Sequence, residues 1–235
     1  MYLLIKVAIL VDGGFYRKRA HYLFGDKTPK ERAQELVSYC MRHLKQDHFY
    51  ENETVVLYRI FYYDCPPATK NIMHPLTRKM ISLEKTDLYK WIVDFFKELN
   101  TKRKLAIRKG ELLESSVGYT IKPEVVKKLC QKTINVDDLT EADFMLDLKQ
   151  KGVDMRIGLD IASLANKKLV DQIVLIAGDS DFVPAAKHAR REGIDFILDP
   201  MWLTIKPSLQ EHIDGIHTPT SKPGTGKPDK LCKNK

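Results

Sequence analysis

The sequence predicts an α/β protein built on a central, mainly parallel sheet with helices on both faces. Three observations carry that prediction. "LLIKVAILVD" is an unbroken apolar run closed by an acid, as a strand buried on both faces requires. Strand-like and helix-like segments then alternate along the 235 residues, the order that generates a parallel sheet. Asp12, Asp64 and Asp179 each fall just past the end of a predicted strand, on the edge where such sheets bind ligands.

Each element has its own reason. The opening run lacks a basic region and a small-residue cleavage site, and it meets Asp12 and two glycines directly, so it reads as a strand and not as a signal peptide. Lys30 to His48 reads as a helix, because Ala33, Leu36, Val37, Cys40, Met41 and Leu44 recur at helical spacing. "ETVVLYRIFYYD" is β-branched and aromatic and reads as the second strand, stopped by Pro66 and Pro67. Ala68 to Lys85 is basic and irregular, in the manner of a surface insertion. "DLYKWIVDFFKELN" carries the stripe Leu88, Trp91, Ile92, Phe95, Phe96 and Leu99 of an amphipathic helix. "KLAIRKGELL" suggests a further strand, and Glu114 to Thr140 is the least legible stretch. Val153 to Asn166 (helix), Gln172 to Ala177 (strand), Phe182 to Glu192 (helix) and Ile194 to Leu198 (strand) complete the alternation. The expected organisation is one domain over residues 1–217 with an insertion around 66–150. The tail 218–235, with three prolines and five lysines and few apolar residues, is expected to be disordered.

Composition narrows the function classes. No run of about 18 apolar residues is present, so no membrane-spanning helix is expected. The four cysteines are scattered without a CxxC pair, which points away from zinc and from a disulfide framework and towards free thiols in the cytoplasm. A net charge of +8 attracts polyanions, nucleic acid first among them. The seven histidines are dispersed and form no catalytic pairing with serine or cysteine.

The acids need a physical account. In "VLIAGDSDFVPAAKHARREG" two like charges, Asp179 and Asp181, flank Ser180 at the mouth of a buried strand, where each raises the cost of ionising the other. In "KGVDMRIGLDIASLANK" the helical stripe Val153, Ile157, Ile161 and Leu164 includes the face of Asp160, a costly place for an uncompensated carboxylate. Asp154 points away from Asp160 and suits a first-turn role. Local alternatives exist: Asp12 opens a turn with Gly13 and Gly14, and Asp181 suits a helix cap before Phe182. Acids gathered on one sheet edge are what a hard divalent cation, Mg²⁺ or Mn²⁺, requires. Such a cation suits phosphodiester hydrolysis, with a basic rim drawn from Arg17, Lys18, Arg19, Lys151 and Arg156.

Four blocks, "VAILVDGGFYRKR", "YRIFYYDCPP", "KGVDMRIGLDIASLA" and "VDQIVLIAGDSDFVPAAKHARREG", in that order, resemble the NYN domain, the LabA-like branch of the PIN-like nucleases. The resemblance covers roughly Val7 to Asp199, with residues 66–150 contributing little. It implies a Rossmann-like PIN-type fold and a metal-dependent ribonuclease acting on RNA, single-stranded by preference. Its catalytic and metal-binding acids fall on Asp12, Asp160, Asp179 and Asp181, with Asp154 as a secondary match and Asp64 and Ser180 at the cleft rim. The resemblance also admits a homodimer or larger assembly. One departure is that many members carry Asn shortly after the first Asp, where this chain has Gly13, Gly14 and Phe15.

Two other functions fit parts of the pattern. One is an RNA-binding or interaction module without turnover on the same fold. The other is a haloacid-dehalogenase-like phosphatase, whose last acidic motif "GDSD" resembles. That family's nucleophilic Asp has a second Asp two residues on, and Gly14 stands there in this chain.

Overall fold

Val7 to Val11 are all fully buried. Successive side chains of a strand point to opposite faces, so a layer must cover each face of the sheet that contains them. The computed structural model describes residues 3–45, 53–113, 117–148 and 150–222. In chain order its elements are β1 (Leu3–Asp12), α1 (Gly13–Phe24), α2 (Pro29–His43), β2 (Glu53–Asp64), β3 (Asn71–Met73), β4 (Met80–Ser82), α3 (Asp87–Asn100), β5 (Leu105–Lys109), β6 (Glu111–Leu112) and β7 (Gly118–Ile121). Then follow α4 (Pro123–Cys130), β8 (Phe144–Asp147), β9 (Gln150–Lys151), α5 (Val153–Asn166), β10 (Gln172–Ile176), α6 (Val183–Arg191), β11 (Asp195–Asp199), α7 (Pro207–Gln210) and β12 (Gly215–Ile216).

The chain divides into two compact units, one of Met1–Asp64, Asp94–Gly110 and Gly152–Lys235, the other of Cys65–Val93 and Glu111–Lys151. The first holds a six-stranded sheet in the order β12-β11-β10-β1-β2-β5, parallel at every pairing. The predicted α/β class with a mainly parallel sheet is therefore the observed one. From β1 the chain adds β2 and β5 on one side, then returns to add β10, β11 and β12 on the other. That reversal creates a switch point at the carboxyl ends of β1 and β10, the place where sheets of this kind bind their ligands.

Most elements follow their sequence signals. α5 buries Val153, Ile157, Ile161 and Leu164 as the spacing predicts. α2 starts at a capping box, Thr28 with Glu31, with Pro29 in its first turn. It ends at His43 instead of His48, which lies outside the described residues. α1 carried no sequence prediction, because it buries only Gly13, Tyr16 and Ala20 and has no apolar stripe to read. Beyond β11 the chain stays packed past the expected boundary at 217. Thr218 donates to Asp199 at 2.7 Å, and Thr220 accepts from the Trp202 indole at 3.2 Å. The part of the expected tail from 223 to 235 lies outside the described residues.

The second unit is built from three short antiparallel pairs, β3 with β4, β6 with β9 and β7 with β8. Ala68, Ile72, Leu83 and Val117 form its small core, with Ile81, Leu112, Tyr119 and Leu146 packed against them. The stretch predicted to be irregular thus contains a hairpin, too short for a period-2 pattern to stand out. Among the described residues no helix is long and apolar enough to cross a membrane.

Candidate functional site

Asp12 is the last residue of β1, at the switch point. Its carboxylate accepts the Phe15 N–H at 3.1 Å and caps α1. Burial pushes its pKa up to about 6, the Phe15 N–H pulls against that, and the charges of Asp154 and Asp64 push the same way as burial. The turn leaving β10 supplies Asp179, which caps a single 3₁₀ turn by accepting the Asp181 N–H at 3.2 Å. Asp154 stands in the first turn of α5 behind Gly152, a residue in the left-handed region at φ 80°. Its pKa is raised by burial first and then by the charges of Asp179 and Asp181. Asp12, Asp154, Asp179 and Asp181 therefore share one electrostatic neighbourhood. Each sits at the start of a helix or helical turn, whose N-terminal dipole partly offsets the crowded negative charge.

Close packing holds the two loops together. A Cβ on Gly178 would lie 2.6 Å from the Phe15 ring, and one on Gly13 would meet the Tyr62 ring at 2.5 Å and the Tyr63 carbonyl at 2.6 Å. The "VDGGF" and "AGDSD" segments thus interlock through Phe15 and Gly178. Gly13 also explains why no larger residue follows Asp12, since the Tyr63 backbone has no room to retreat. Gly13→Ala is expected to cost about 1–3 kcal/mol by overpacking, measured as a lower urea midpoint. Gly178→Ala, whose obstacle is a side-chain ring that can turn, is expected to cost less.

The other expected site residues have different fates. Asp64 is buried and grips Arg17 in a fork, Nε–Oδ2 at 2.9 Å and Nη2–Oδ1 at 3.1 Å, and also accepts the Tyr62 hydroxyl at 3.0 Å. Arg17, expected on the substrate-binding rim, is thereby engaged inside the protein. Asp160 accepts the Tyr63 hydroxyl at 2.8 Å and pairs with Arg108 Nε at 3.1 Å. The compensation that a carboxylate on the buried stripe needed comes from these two residues, so Asp160 is not equivalent to Asp12, Asp179 and Asp181. Burial, followed by the charge of Asp160, pushes the Tyr63 hydroxyl far above its ordinary range, and it stays a proton donor. Lys18 and Arg156 are exposed. Lys151 belongs to the second unit. Arg19 donates to the Met201 carbonyl, Nε at 3.2 Å and Nη2 at 2.6 Å. Ser180 accepts the Lys206 ammonium at 3.1 Å. Lys206 and Arg108 escaped the sequence reading, because neither carries a local pattern that marks it.

The acid set has the chemistry of a hard-cation site: carboxylate oxygens, burial and then neighbouring charge raising two of their pKa values, and no sulfur or imidazole. Among the described residues no three His, Cys, Asp or Glu side chains stand together as a ready-made metal-binding group. The charges of Asp64 and Asp154 act on Asp12, and those of Asp179 and Asp181 act on Asp154.

The NYN domain family model matches residues 78–213, more than half of the chain. The chain belongs to the NYN domain family. Membership places this NYN domain in the PIN-like nuclease superfamily, whose members generally use divalent metals and whose NYN branch typically binds RNA. The matched span contains Asp154, Asp160, Asp179 and Asp181 and begins after Asp12 and Asp64, whereas the sequence resemblance was expected over Val7 to Asp199. The chain also aligns with the crystal structure of a protein of unknown function from Vibrio parahaemolyticus, at 13% identity and a TM-score of 0.42, over 90% of this chain and 91% of that one. No curated protein matches it.

Proposed function

We propose that this NYN domain is a metal-dependent endoribonuclease, hydrolysing RNA phosphodiester bonds at the carboxyl ends of β1 and β10. The observation that supports the reading best is Asp12. A half-buried carboxylate whose pKa is driven up to about 6 by burial and by neighbouring acids is held at a cost that a bound cation would remove. Asp12, Asp154, Asp179 and Asp181 are the residues that would hold Mg²⁺ or Mn²⁺. The ion would supply a more acidic bound water and a counter-charge for the scissile phosphate. Asp160 is assigned a positioning role, fixing α5 to β2 and β5 through Tyr63 and Arg108. Lys206, anchored on Ser180, is suited to hold a backbone phosphate beside the acids, and Arg17 supports Asp64 from within.

The test is incubation of the pure protein with RNA at low salt in Mg²⁺ or Mn²⁺, beside an EDTA control and an Asp179→Asn variant. Cleavage is expected in wild type, none in EDTA, and about 100-fold less in the variant, the scale of losing one electrostatic contact to the transition state. Wild type and variant retaining RNA equally on a filter while leaving it intact would sink the nuclease reading in favour of a non-catalytic RNA-binding module.

A further inference from the structure

We propose that Trp202 and Tyr22, joined through Arg19, form a stacking platform for unpaired bases of single-stranded RNA beside the acidic site. The proposal rests on the ribonuclease reading and adds to it where the substrate's bases go. It starts from the backbone. Met201 and Trp202 are consecutive non-glycine residues in the left-handed region, at φ 46° and 67°, a strained conformation that collects at functional sites. Five hydrogen bonds hold the turn in it. The Met201 N–H donates to Asp199 at 2.8 Å, Arg19 donates to the Met201 carbonyl, Leu203 N–H reaches the Pro200 carbonyl at 2.9 Å, and the Trp202 indole N–H reaches Thr220.

The outcome of that strain is specific. Met201 is fully buried as an anchor, while Trp202 keeps 37% of its surface in solvent. With its N–H already bonded inside the protein, what the indole offers outward is π surface. Tyr22 is 68% exposed, and the Arg19 guanidinium carbon lies 4.9 Å from its ring centroid. Among the described residues Arg19's partners, a carbonyl and a ring, are both uncharged, so none of them neutralises its positive charge. Lys206, further along the same loop, bonds to the uncharged Ser180 hydroxyl between Asp179 and Asp181. This ties the loop to the acidic site.

Exposed aromatic rings interleaved with uncompensated cations are the chemistry that binds single strands, rings for bases and cations for phosphates. Duplex RNA keeps its bases stacked on one another and has none to offer. A chain of net charge +8 brings the polyanion to the surface.

The test uses binding and does not depend on turnover. A Trp91→Phe background leaves Trp202 as the one remaining tryptophan of the two in the chain. Titration with short oligouridine in EDTA is expected to quench its fluorescence. Trp202→Ala and Tyr22→Ala are each expected to weaken single-strand binding by about 5- to 100-fold, the range for losing one base stack. Trp202→Phe should restore most of the loss, and a blunt-ended two-strand RNA duplex should bind all forms alike. Tyr22→Ala, at an exposed helix position, keeps the test valid if Trp202→Ala melts early. Oligouridine binding without quenching and unchanged in the variants overturns the platform. Metal-dependent cleavage by wild type, run in parallel, then shows that the ribonuclease reading survives. Absence of both binding and cleavage removes both. Loss of a dimer in Trp202→Ala by sedimentation, with RNA affinity unchanged, would make the ring a protein contact and also overturn the proposal.

Discussion

Asp12→Asn is expected to lower RNA cleavage by about 1,000-fold or more, the scale for removing a residue that acts within a catalytic unit, and at pH 8 to make the protein more stable than wild type. Asp12 is half-buried where Asp179 is exposed, so less solvent screens its charge and more is lost with it. The stability gain follows from the raised pKa. A carboxyl whose folded pKa lies near 6 instead of its ordinary 3.8 favours the fold while protonated. That contribution is complete below about pH 3.8 and is lost as pH rises through about 6. The displacement corresponds to about 3 kcal/mol at 1.36 kcal/mol per pH unit, an upper figure for a group that is not fully enclosed. Asn carries no charge to desolvate and still accepts the Phe15 N–H as a cap. Melting curves of the two proteins should converge at pH 4 and separate at pH 8 with the variant higher. A variant that melts below wild type at both values would show that Asp12 is a structural acid.

Asp199→Ala has the opposite sign. Asp199 is fully buried and accepts from the Tyr39 hydroxyl at 2.6 Å, His43 Nε2 at 3.0 Å, the Met201 N–H and the Thr218 hydroxyl. Removing the carboxylate strands several buried donors at once. The expected loss is about 3–5 kcal/mol, as for breaking a buried ion pair from one side. Asp199→Asn, which keeps an acceptor oxygen, should lose less. Chemical denaturation of the three proteins measures both steps, and an Ala variant within about 1 kcal/mol of wild type would mean water replaces the carboxylate.

These two acids show how far the sequence could be read. β1, β2, α5 and β10 were legible because each carries its signal within its own segment, an apolar or β-branched run for the strands and a helical stripe for α5, and the acids after the strands announced the functional edge. The same signal, an acid closing an apolar strand, has three outcomes in this protein. Asp12 has no basic partner among the described residues, Asp64 is neutralised by Arg17, and Asp199, which sequence reading passed over, becomes the hub of a buried network. What separates them is the partner, and Arg17, His43 and Arg108 reach their acids from 47, 156 and 52 positions away. No local window contains that information. Asp154 and Asp160 illustrate it most directly, since the helical stripe put forward Asp160 while tertiary contacts give Asp160 to Arg108 and leave Asp154 with the acids.

The position of β1 has a consequence for how the protein comes into being. Its last contact partner on one side is β10, and the bond from the Lys6 N–H to Asp171 closes a loop of 165 positions. Long closures of this kind are slow. Until β10 has been synthesised, this buried apolar strand has one bare edge, an invitation to pair with the wrong neighbour. The loops that carry Asp12 and Asp179 come together only once that edge is filled. The nascent chain therefore carries its aggregation hazard early and acquires its acidic centre last, so a truncated product ending before β10 should be insoluble and inert.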